Sequence, residues 1–145
     1  MSSRTFASWL VMVFLIALGT RSQAEETKLK VIVHPDNPMT SVSRTFLRDA
    51  YLKKSSEWKS GETILPVDLA WRFPERRAFT EQILQKTPTQ VKNYWNQQIF
   101  SGKGVPPPEA DSPRAVIGYV LANPGAVGYI PASVDAHGAK VLVVE

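Results

Sequence analysis

The chain has 145 residues, 43% of them hydrophobic and 10% aromatic, with a formal net charge of +4 and no cysteine. That length fits one domain, and that apolar content supports a packed core and excludes a disordered chain. The lack of cysteine excludes disulfides, thiolate catalysis, cysteine-based zinc sites and lipid attachment at an N-terminal cysteine.

Residues 1–24 read as a separate unit. Arg4 gives a positive start, Trp9 to Gly19 (WLVMVFLIALG) is apolar, and Ser22 to Ala24 (SQA) offers small residues where a signal peptidase cuts. The apolar run is shorter than the ~20 residues a membrane-spanning helix needs. The expectation is a cleaved export signal over 1–24 and a periplasmic domain over 25–145, with no stable membrane insertion after cleavage; an uncleaved anchor is the alternative. Cleavage removes Arg4 and Arg21 and leaves 15 basic against 13 acidic side chains, a net charge of +2. The remaining Lys and Arg are scattered and no basic run is interleaved with aromatics, so nothing marks a nucleic-acid partner.

The elements follow in order. Lys28 to Pro35 (KLKVIVHP) is a β-branched run stopped by proline, a buried strand, and Asp36 to Ser41 (DNPMTS) is a loop. Val42, Phe46, Leu47, Ala50 and Tyr51 then share one helical face, with Ser41 or Ser43 as N-cap and Lys53 and Lys54 favourable at the C-terminal end. Thr63 to Ala70 (TILPVDLA) is the second strand, and Pro74 opens a helix (PERRAFTEQILQK) that turns Ala78, Phe79, Ile83 and Leu84 inward. Thr87, Pro88 and Gln90 form a capping box before a third helix with Val91, Tyr94, Trp95 and Ile99 on its apolar face. Ser101 to Asp111 is a loop. A fourth helix starts at Asp111 or Ser112, buries Val116, Ile117, Val120 and Leu121, and stops at Asn123 to Gly125. AVGYIP (Ala126 to Pro131) and KVLVVE (Lys140 to Glu145) are the last strands. This order is α/β: a small mixed sheet flanked by about four helices.

Ligands on such sheets sit beyond strand ends, near helix N-termini. Two turns qualify. Asp68 to Phe79 (DLAWRFPERRAF) holds Arg72, Arg76 and Arg77 at a strand-to-helix passage, where guanidinium forks suit phosphate, sulfate or carboxylate. Arg72, in the loop itself, is the stronger anion candidate; Arg76 and Arg77 have the alternative of solvating the outer helix face while Phe79 packs inward. Thr40, Ser41 and Ser43 present hydroxyls at another helix start, where capping alone also accounts for them. Ser101 to Gly104 (SGKG) has the glycines of a phosphate loop but follows a helix and lacks the Walker spacing. His34 and His137 have no third ligand at metal spacing, and no Gly-x-Ser-x-Gly elbow occurs, so the expectation is a non-enzyme without metal or cofactor. Trp58 and Trp95 read as core, and Trp71, beside Arg72, stays open as a stacking surface.

The succession FLRDAYLKKSSEWKSGETILPVD, FTEQIL, YWNQQIFSGKGVPPP and VLANPGAVGYIP resembles the phosphate-type periplasmic substrate-binding proteins of ABC transporters, of the type 2 superfamily. The matching stretches run from about Val31 to Pro131. The resemblance implies the α/β fold of one lobe of such a protein, a small oxyanion as ligand, phosphate first, for uptake or sensing, and a transporter or other envelope partner. Two departures accompany it. Full-size members have two lobes closing over the ligand, whereas residues 25–145 amount to one. Full-size members also hold phosphate with an R-x-D-x-S-G-T turn, and the corresponding DLAWRFPERR has no serine, threonine or glycine. The alternative is therefore a non-transport interaction module of the cell envelope that keeps the fold without the ligand site.

Overall fold

A computed structural model describes residues Glu26–Glu145. The export signal expected over 1–24 lies outside these residues. Among the described residues no helix is long and apolar enough to cross a membrane.

The centre is a five-stranded mixed sheet in the order β2-β7-β1-β6-β3. β1 (Leu29–Val33) runs antiparallel to both neighbours, β6 (Ala126–Pro131) and β7 (Lys140–Val144), with Leu29 opposite Pro131 and Val31 opposite Leu142. Val31, Ile32 and Val33 are all buried because the sheet is covered on both faces at β1, which is why this strand reads as a continuous apolar run. The edges are the two-residue strands β2 (Ser41–Val42), parallel to β7, and β3 (Leu65–Pro66), parallel to β6.

The strand expected over 63–70 changes partner halfway. Val67 still donates to the Val127 carbonyl of the main sheet, but Asp68 donates to Pro108 and Ala70 to Ala110. β4 (Asp68–Leu69) thus leaves the main sheet and pairs with β5 (Glu109–Ala110), which lies within the stretch expected to be only loop. Two-residue strands carry no periodicity, so neither could be read from the sequence.

The four expected helices are present. α1 (Arg44–Tyr51) is capped by Ser43, whose Oγ accepts from the Phe46 amide, and it ends before Lys53, which turns the chain with φ 56°. α2 (Pro74–Phe79) runs into a π-helical turn, Thr80–Leu84, where the Thr80 hydroxyl donates back to the Arg76 carbonyl. α3 (Pro88–Phe100) begins with the complete Thr87/Gln90 capping box, and α4 (Pro113–Ala122) is capped by Ser112. Two burial expectations are corrected. Leu121 lies at the exposed margin of α4, and Ile99 is 52% exposed because α3 runs past the domain and buries only Val91 and Trp95.

One sheet face packs on α4, where Gly128 lets Val116 and Val120 reach the backbone: a Cβ there would lie 2.5 Å from Val116 Cγ1. The other face carries an aromatic stack, with Phe79 of α2 parallel to Tyr129 of β6 at 4.0 Å and Tyr51 of α1 tilted against Phe79 at 4.6 Å. These rings place α2, and with it the arginine cluster, against β4 and β6.

Candidate functional site: an arginine cluster closed by carboxylates

The three arginines of the 68–79 stretch have three different fates. Arg76 is buried, 5% exposed, and the expectation that it solvates the outer helix face is corrected. It lies on the same helical stripe as Phe79, Thr80 and Ile83, all of them buried, so the core packing that turns those residues inward turns Arg76 inward too. Its Nη2 is 3.3 Å from Asp68 Oδ2; its Nη1 donates to the Leu69 carbonyl at 2.7 Å and to Glu109 Oε1 at 3.3 Å. The Trp71 indole lies over the guanidinium at 4.0 Å, a cation–π lid.

Arg77 points outward and pairs with Glu81 one turn along, at 3.0 Å. Arg72, with a side chain 60% exposed, donates to the Asp111 carbonyl, lies 3.7 Å from the Asp111 carboxylate and packs over the Phe73 ring at 4.7 Å. Each of the three guanidinium groups therefore has a carboxylate of the protein beside it.

Asp68 is the hub beneath the cluster. It accepts from the Tyr129 hydroxyl at 2.8 Å, and that hydroxyl in turn accepts from the Leu69 amide. The Tyr51 hydroxyl bonds to the Val67 and Val127 carbonyls at 3.0 and 3.1 Å, joining β3–β4 to β6. Burial pushes the Asp68 carboxyl up to about 6 from an ordinary 3.8; Arg76 and the Tyr129 hydrogen bond pull against that shift without cancelling it. Burial, reinforced by Asp68, likewise holds both tyrosines above their ordinary value. Among the described residues every buried side-chain nitrogen and oxygen has a hydrogen-bond partner. The buried part of the site, Asp68, Arg76 and Tyr129, is a hydrogen-bonded polar network.

A pH dependence follows with a definite sign. Between pH ~4 and ~6 folded Asp68 holds its proton while the unfolded chain releases it, so this group makes stability fall as pH rises through that window and adds no further slope above it. A shift of this size is worth on the order of 2–3 kcal/mol. Urea unfolding from pH 4 to 7 is expected to show that downward component in the parent and not in Asp68→Asn. Parallel profiles for the two proteins would contradict the assignment.

Thr40, Ser41 and Ser43 are not brought to the arginines. They flank and form β2 at one edge of the sheet, whereas β4 and the arginine turn follow β3 at the other. Their groups are engaged locally: the Thr40 carbonyl accepts from Val143, Ser43 caps α1, and the Arg44 amide donates to the Glu145 carbonyl. Ser41 and Ser43 line a separate pocket of about 280 Å³ with Phe46, Trp58 and Lys59. The Ser101–Gly104 stretch turns the chain after α3, with Gly102 and Gly104 at positive φ. His34 Nδ1 accepts from the Asp36 amide, and among the described residues no three His, Asp or Glu side chains gather as metal ligands.

What sequence reasoning missed is Asp68, Glu109 and the groove beside them. Asp68 was visible as an acid inside an apolar run, and Arg76 as a base on an apolar stripe. The groove, about 540 Å³, is walled by Trp71, Trp95, Ile99, Pro88 and Pro106, with Arg76 and Glu109 at one side and Lys92 at its rim.

This architecture is that of one lobe of the phosphate-type periplasmic substrate-binding proteins, a mixed α/β domain with four helices. Among solved structures, the chain is similar to a putative phosphate ABC transporter substrate-binding protein with bound phosphate from Clostridium perfringens (TM-score 0.63, 21% identity, covering 81% of this chain and 45% of that one). It is similar also to an ABC-type phosphate transport receptor from Vibrio cholerae (TM-score 0.62, 21% identity, 81% and 46%) and to PstS from Borrelia burgdorferi (TM-score 0.64, 14% identity, 82% and 47%). The chain spans less than half the length of these proteins. No protein-family model matches it, and no curated protein does.

Proposed function

We propose that this chain is an exported, non-enzymatic interaction module of the cell envelope, which keeps the substrate-binding fold and works through contact with another protein instead of enclosing phosphate. The observation that carries this reading is Arg76, the one buried arginine of the 68–79 turn, held between Asp68 and Glu109 under the Trp71 ring. An oxyanion entering there would displace two carboxylates and share a desolvated space with their charge, which is strongly unfavourable. Export is inferred from the apolar N-terminal run and its small-residue end, and a periplasmic setting agrees with the ABC-transport descriptions of the structural neighbours.

A second reading rests on Arg72. Its guanidinium and the Asp111 carboxylate are both largely exposed, so phosphate or another small oxyanion that replaced Asp111 would meet little desolvation cost, and the Clostridium neighbour is described with phosphate bound. The protein would then serve ABC-type uptake or sensing, with Arg72 as principal contact.

Thermal melting against a panel of phosphate, sulfate and organic anions separates the two. A ligand present at 100 times its Kd and bound only by the folded state adds about 2.7 kcal/mol, a readily measured rise in Tm. The interaction-module reading predicts an unchanged Tm across the panel; a saturable rise with one anion favours the oxyanion reading and overturns the first.

A further inference from the structure

α3 is held to the domain by the buried Val91 and Trp95 and by the half-buried Tyr94, whose hydroxyl donates to the Leu52 carbonyl. Val91, Trp95 and Ile99 repeat every fourth residue and form one stripe, of which the first two are buried while Ile99 overhangs the groove. The next residue, Phe100, is 95% exposed, and Val105 beyond the turn is 59% exposed. An apolar hole and an apolar knob therefore stand side by side at the end of one helix.

We propose that this face pairs with a second copy of the chain, the two α3 helices lying antiparallel across a two-fold axis with Phe100 of each copy seated in the Trp71–Trp95–Ile99 groove of the other. A two-fold interface requires one patch to be complementary to itself, and adjacent knob and hole on one helix meet that condition. The charges agree as well. Lys92 is the only charged side chain of α3, and Glu109, about half exposed, lies on the same groove, so a two-fold arrangement offers two reciprocal Lys92–Glu109 contacts with no like-charge opposition along the helices. Covering the exposed parts of Trp71, Ile99, Phe100 and Val105 removes on the order of 500 Å² per copy, more than half of the ~800 Å² per partner of a standard interface. The polar Asn and Gln side chains of α3 supply the rim.

The inference stands on α3 and not on whether an anion binds, so its failure leaves the reading of the arginine cluster untouched. Sedimentation velocity of the protein expressed from its full sequence, over a concentration series, is the test. The parent is expected to shift from monomer to dimer, and Phe100→Asp to raise the dissociation constant by roughly thirty-fold or more, as loss of a central aromatic anchor does. Since Phe100 is almost fully exposed, the variant should melt as the parent does; Val105→Asp provides a second disruption outside the helix. Val143→Asp, exposed on β7 away from the groove, should dimerise as the parent does. A parent chain that stays monomeric throughout the series, which would leave the groove to a different partner, overturns the proposal. So does a dimer indifferent to both groove variants, or one equally weakened by Val143→Asp.

Discussion

Arg76→Ala is expected to destabilise the protein by about 3–5 kcal/mol, the range for breaking a buried ion pair by removing one partner, or roughly 10–20 °C in Tm for a domain of this size. Three losses combine. Asp68 is left in a buried position without its cation, the Leu69 carbonyl loses a donor at 2.7 Å, and Trp71 loses the flat group beneath its ring. The penalty is self-limiting, because Asp68, already raised to about 6, can take up a proton; the cost should therefore be smaller at pH 5 than at pH 7. Arg77→Ala is the natural comparison. Arg77 neighbours Arg76 in the chain and has the same chemistry, but it is exposed and its pair with Glu81 is a surface contact one helical turn apart, worth no more than about 0.5 kcal/mol. Equal effects from the two substitutions in urea unfolding would contradict the burial of Arg76.

Gly125→Ala is expected to cost about as much, 3–5 kcal/mol, for a reason unrelated to charge. A Cβ at residue 125 would lie 1.9 Å from the Thr63 carbonyl oxygen, a backbone atom that cannot rotate away. The Gly125 carbonyl also accepts from the Leu65 amide at 3.0 Å and from Trp58 Nε1 at 2.9 Å, so moving this segment breaks the junction between β3 and β6 and unseats a buried tryptophan. Gly128→Ala makes a useful contrast, since its Cβ meets only valine side chains, nearest at 2.5 Å, which can shift at a cost of ~1–3 kcal/mol. Chemical unfolding of both variants should rank Gly125→Ala as the more damaging; the reverse order would mean that the approach of Thr63 is not what requires glycine.

Most of the architecture is legible in the amino-acid sequence. β1 and β7 are β-branched runs, and β6 follows the stop at Asn123 to Gly125; Thr87, Ser41 or Ser43, and Asp111 or Ser112 marked three helix starts through capping chemistry that is local in sequence, and the fold selects Ser43 and Ser112. The NPGAVGY signature, read as a resemblance, has a physical basis in Gly125 and Gly128, each a place where another segment approaches too closely for a side chain. The misreadings fall where long-range packing decides. Ile99 continues the α3 stripe, yet the domain ends beneath it, and no helical period records where a neighbour stops. Arg76 and Arg77 differ only in which side of a six-residue helix faces β4, and Asp68 and Glu109 come together through strands of two residues each. The candidate site was thus legible as a concentration of arginines, but the carboxylates beside Arg76 lie eight residues before it, at Asp68, and 33 residues after it, at Glu109, and only the fold brings them together.

On the interaction-module reading, the protein's own carboxylates occupy the arginines of the 68–79 turn and phosphate finds no site there. Isothermal titration of phosphate into the parent and into Arg72→Ala tests it most directly. No saturable heat is predicted for either protein up to about 10 mM phosphate, a concentration that would reveal a millimolar Kd; saturable binding to the parent that is lost in Arg72→Ala would contradict the account and make this turn a working oxyanion site.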